Sequence, residues 1–107
     1  MEKLSKSEAI RLFREHWEWV GEKEGGNKWE FFAGKEPDQI PKAHCYLCEY
    51  DEQHGNEYCC KTCLIDWSAL NCLKGLYEQW RLAYNNPFRA QRLAKQIARL
   101  PERKESD

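Results

Sequence analysis

Nowhere does this 107-residue chain approach the roughly 20 consecutive apolar residues that a membrane span requires. Its opening stretch, Met1 to Lys6, has no apolar run of the signal-peptide kind. The expected location is therefore cytoplasmic, where thiols stay reduced. Net charge is nearly absent as well: a formal −1 does not make the whole molecule a polyanion binder. The sequence also lacks a low-complexity tract, a phosphate-cradling glycine loop and a nucleophile–base motif. No catalytic residue is expected. Glu15 with Glu18, and Asp51 with Glu52, read as solvated surface charges, and His16 as a packed or surface residue.

What the chain does contain is aromatic and sulfur-rich. Its composition is 41% hydrophobic, 13% aromatic and 33% charged, with five tryptophans and six cysteines. So many rings argue for one folded domain. A chain this short builds a modest core, which metal ions or disulfides often supplement. Charge is unevenly placed. Residues 1–66 carry 9 basic and 14 acidic side chains, and residues 67–107 carry 8 and 4. That separation suits an encounter with a charged partner.

The periodicity predicts a mainly α fold. Ser5 and Glu8 have capping-box spacing, and Ile10, Phe13, Trp17 and Val20 then share one helical face. A helix is expected over 6–24, with fraying at Gly21 and a stop at Gly25-Gly26. A second, short helix is expected over 27–34, then an extended connector through Pro41. Leu73, Leu76, Tyr77, Trp80 and Tyr84 predict a helix over 73–85. Asn86 as N-cap and Pro87 in the first helical position predict a last helix over 87–100. Its apolar members include Phe88, Leu93, Ala94, Ile97 and Ala98. The domain should span 1–101, with a disordered tail at 102–107.

The cysteines carry the strongest chemical signal. Cys45-Tyr46-Leu47-Cys48 is followed by Cys60-Lys61-Thr62-Cys63, a spacing typical of structural zinc. A Cys-x-x-Cys turn brings two sulfurs to one side, where backbone N–H groups can stabilise them. Two such turns give the four soft donors that tetrahedral zinc favours. The zinc loop is expected over 44–63, with Cys45, Cys48, Cys60 and Cys63 as ligands and no open position for substrate. Such a site can contribute on the order of 10 kcal/mol coupled to folding.

Alternatives remain open. Cys59 adjoins Cys60, and neighbouring side chains diverge, so the two are not expected to bind one ion. Cys72 lies nine residues past Cys63, about 13 Å away in a continuous helix, yet it replaces Cys60 or Cys63 if 66–71 folds back. His44 and His54 are spare ligands. Disulfides, or a thioredoxin-like redox pair, are weaker readings, the second for want of a βαβ context.

Two surfaces could meet a partner. Arg89, Arg92, Lys95 and Arg99 follow helical spacing, and a basic stripe can neutralise phosphates or face an acidic protein. Its simplest reading is a solvated helix face. Trp19 lies off the apolar stripe of the first helix and, if exposed, is a candidate protein anchor. Trp17, Trp67 and Trp80 read as core.

The ordered series Cys-x-x-Cys-Glu-Tyr (45–50), Cys-x-x-Cys-Leu-x-x-Trp (60–67), Cys72, Leu-Tyr-x-x-Trp (76–80) and Ile-Ala-x-Leu-Pro (97–101) resembles small cysteine-rich proteins of bacteriophages and prophages of Gram-positive bacteria. His16-Trp17-x-Trp19 adds to the likeness, which covers most of the chain. The resemblance implies a phage-associated origin, a zinc site and action inside an infected bacterium; it implies no activity. Cys59 is an extra cysteine in that pattern. The expectation is a zinc-stabilised interaction module binding a host or phage protein, with nucleic-acid binding as the alternative.

Overall fold

Why the first and last helices form is visible in their ends. In the computed structural model, which describes residues 2–23, 28–41, 44–55, 64–65, 76–83 and 85–102, α1 spans Lys6–Glu22. The capping box is closed: the Glu8 N–H donates to Ser5 Oγ at 3.2 Å and the Ser5 N–H to Glu8 Oε1 at 3.3 Å. The predicted end at Glu24 lies outside the described residues. At the other end of the chain, α4 spans Pro87–Ala98. Asn86 Oδ1 accepts from the Arg89 N–H at 3.2 Å, and Pro87 occupies the first turn, where its missing N–H costs nothing.

These two helices make the most extensive helix pair. Phe13, Trp17 and Val20 from α1 and Leu93, Ala94 and Ile97 from α4 are buried in one core. Gly21 is not a frayed end. It is buried, and a Cβ there would lie 2.7 Å from Lys95 Cγ and 3.2 Å from the Gln91 carbonyl oxygen. The missing side chain lets the two backbones approach. Arg14 donates to the Ala98 carbonyl at 2.8 Å, satisfying one of the carbonyls that every helix leaves open at its end.

Between them, α3 spans Leu76–Leu82, within the predicted 73–85. Trp80 meets Trp17 edge-on at 4.9 Å, so both act as core; Trp67 lies outside the described residues. Two expectations fail here. In place of the helix over 27–34 there is a single 3-10 turn, Glu30–Phe32. Gly34 at φ +83° ends it, leaving too few residues for an α-helical nucleus. A second 3-10 turn, Pro37–Gln39, interrupts the connector.

The second failure is in the cysteine segment, where residues 46–53 form a helix, α2 (Tyr46–Gln53). Leu47 and Tyr46 bury themselves against the core, and α2 packs on α1. Such a short helix draws its stability from that packing. Gln53 fastens its end: the side chain accepts from the Leu4 N–H at 2.6 Å and donates to the Glu2 carbonyl at 2.8 Å. Gly55, at φ +76°, breaks the helix.

Among the described residues there is no sheet, only an isolated antiparallel bridge between Ile65 and Glu102. Glu102, expected to begin a tail, is thus paired. No described helix is long and apolar enough to cross a membrane.

His16 sits at the centre of the aromatic packing, 2% exposed. It lies 4.8 Å from the Phe31 ring and 4.9 Å from that of Phe32. Its Nε2 donates to the Lys28 carbonyl at 2.8 Å, which fixes the neutral tautomer. Desolvation lowers its pKa to about 4, against the opposing Lys28 carbonyl, with the Lys28 and His44 charges adding to the lowering. Below pH 6.5 the unfolded chain takes up a proton that the folded one refuses. His16 should therefore cost stability progressively as pH falls from 6.5 to 4, by roughly 3 kcal/mol in total. Denaturant unfolding of wild type and His16→Gln across that range measures this. Parallel curves for the two proteins would contradict it.

Candidate metal centre

The Cys-x-x-Cys at 45–48 is built from one extended residue and one helical turn. Cys45 is the N-cap of α2, at φ −142° and ψ 116°, and Cys48 lies in its first turn. The inward-facing Tyr46 and Leu47 hold this turn against the core. Both cysteines are half-buried free thiols. The Cys48 thiol is the main influence on Cys45, drawing its pKa down to about 7. Burial opposes this, while the backbone N–H groups of Cys48 and Leu47 assist. A helix start adds its own preference for negative charge. The pair is thus prepared to supply soft, anionic sulfur, the donor type that zinc takes.

Cys60, Cys63, Cys59 and Cys72 lie outside the described residues, as do residues 73–75 at the start of the third predicted helix. Among the described residues no group of three or more His, Cys, Asp or Glu side chains converges as a metal site; only two of the four expected ligands fall among them. Beyond the loop the chain is fixed again at Ile65, fully buried and paired with Glu102, two residues after Cys63.

The spare histidines are engaged elsewhere. His44, at φ +51°, packs on Phe32 at 5.5 Å. His54 stacks on Tyr50 at 4.0 Å and donates from Nδ1 to the Tyr50 carbonyl at 2.9 Å. Asp51, read from sequence as a solvated charge, is instead buried on α2, three residues past Cys48.

The expected binding residues are spread over different surroundings. Trp19 is half-buried, edge-on to Phe31 at 5.6 Å, with Lys23 Nζ 5.6 Å from its ring centre. Lys95 is half-buried over Gly21. Arg99 reaches Glu18 at 3.3 Å. Arg89 and Arg92 are exposed. Beside them stand two exposed apolar residues: Phe88, 73% exposed, and Leu82, 62% exposed. The sequence groups Phe88 with the apolar members of the last helix, most of which are buried. The helical wheel explains the difference, since Phe88 shares the side of α4 that carries Arg92 and Arg99, opposite Leu93 and Ile97.

In metal-free, reduced protein, Cys45 should be the more readily alkylated member of its pair. Its rate should be half-maximal near pH 7 and fall about tenfold per pH unit well below that, because only the thiolate reacts. Iodoacetamide labelling read by peptide mass spectrometry tests this; an inflection near the ordinary thiol range would contradict it.

No protein-family model, no curated protein and no solved structure matches this chain.

Proposed function

We propose that this is a small zinc-stabilised interaction module of bacteriophage type, acting in the host cytoplasm by binding a host or phage protein, and not an enzyme. The exposed pair Leu82 and Phe88, set among Arg81, Arg89 and Arg92, carries this reading. Apolar groups flanked by arginine are the usual composition of a protein-binding surface. Trp19, turned onto Phe31, is less suited to serve as the anchor. The prepared thiol pair at 45 and 48 supports the zinc, with Cys60 and Cys63 completing the set. A tetrahedral site filled by four thiolates would brace the fold and leave no position to activate water.

Two measurements test this. Elemental analysis of purified protein should find one zinc per chain, lost in Cys45→Ser with Cys48→Ser, and a strong chelator should reduce helicity and lower the melting temperature. Unchanged helicity in metal-free protein would remove the structural role. An affinity pulldown from bacterial lysate should retain a protein after nuclease treatment, and Leu82→Ser with Phe88→Ser should release it.

The second reading, nucleic-acid binding, is favoured by Arg89 and Arg92 on a helix with no acidic residue. In that case nuclease would empty the pulldown. Binding would weaken steeply with salt, and Arg92→Ala with Arg99→Ala would flatten the dependence.

A further inference from the structure

We infer that the segment docking at the corner between α3 and α4 is an acidic, amphipathic stretch of the partner protein. Its apolar side chains would cover Leu82 and Phe88, and its carboxylates would meet Arg89 and Arg92. This rests on the interaction-module reading and names the partner's chemistry.

The corner combines three features. First, a shallow groove of about 310 Å³ is lined by Gln79, Leu82, Ala83, Asn85, Asn86 and Arg89. Its lining mixes two apolar side chains, three amides and one guanidinium, which suits an apolar side chain with a carboxylate beside it. Second, Phe88 precedes Arg89 directly and stands one helical turn before Arg92, so aromatic and charge form a continuous exposed ridge. Third, the two exposed arginines of α4, Arg89 and Arg92, have no acidic partner among the described residues, whereas Arg99 is paired with Glu18. Helix α4 contains three basic residues within its span and no acidic one.

Two other occupants fit less well. A second copy using the same face would set arginine against arginine, since a two-fold interface repeats one patch on both sides. A single nucleic-acid strand would use Phe88 as a stacking platform but gain nothing from Leu82, the wall of the groove, which has no ring to offer a base. An acidic amphipathic segment uses every part of the corner.

The test is selection from a random displayed-peptide library against the full chain supplied with zinc, with binding of oligodeoxythymidylate measured in parallel. Enriched peptides should combine Asp or Glu with Leu, Phe or Trp. Leu82→Ser with Phe88→Ser should weaken the best of them at least tenfold. Arg89→Glu with Arg92→Glu should do the same and shift selection toward basic peptides. Both variants change exposed positions, and unaltered helicity confirms that they fold. Enrichment of peptides without carboxylates, indifference to the charge reversal, absence of enrichment, or tighter binding of the oligonucleotide would each overturn the proposal. The lysate pulldown separates the two failures. A protein still captured through Leu82 and Phe88 leaves the interaction module standing with a differently charged partner, whereas loss of capture removes both.

Discussion

Helix α1 lies against helix α4, and the remaining elements are positioned by that contact. Phe13, Trp17 and Val20 face Leu93, Ala94 and Ile97 across it. Burial of side chains of this size is worth about 1.5–3 kcal/mol each. The charged links at its margin, such as Arg99 to Glu18, are exposed pairs worth about 0–1 kcal/mol. Apolar packing therefore decides the arrangement, and the ion pair adjusts its edge. Gly21 sets how close the helices come. The wall they create is what Trp80 of α3 leans on through Trp17.

From α1 a cluster of rings reaches outward to the cysteine segment. His16 touches Phe31 and Phe32, and Phe32 in turn meets Tyr46 at 5.7 Å, the residue directly after Cys45. The thiol pair is thus carried on the core through a chain of aromatic contacts. A ring as polar as imidazole can sit inside because it is neutral and its one N–H has a carbonyl to meet. Neutrality is the condition of its burial.

Much of this was legible in the sequence because it is local. The Ser5–Glu8 capping box, the Asn86-Pro87 helix start and the stripes of α1 and α4 are signals over three to seven residues, and each corresponds to an observed element. Helix α2 was not legible: its eight residues hold no long periodic pattern, and its order comes from α1 and from the Gln53 side chain reaching residues 2 and 4. The 3-10 turn at Glu30–Phe32 was misread for a related reason, as a short aromatic run imitates one turn of an amphipathic helix. Phe88 was misplaced by its chemistry. Apolar residues read as core, and only the angular position of this one around α4 marks it as exposed. Asp51 shows the converse, a charge assumed to be solvated that tertiary packing takes in. Of the candidate metal centre, the sequence named both described thiols, and their nature as a turn entering a helix came from the fold.

The thiol pair and the arginine corner stand on different elements, α2 and the α3–α4 junction, so a change at one need not alter the other's local geometry. Their common dependence lies in the chain's connectivity. Because α1 finds its most extensive helical partner in α4, and Ile65 pairs with Glu102, this side of the core closes only when residues far apart in sequence meet. The cost of bringing such distant segments together precedes the reward of their contact, so the helical content alone overstates how fast this fold can form.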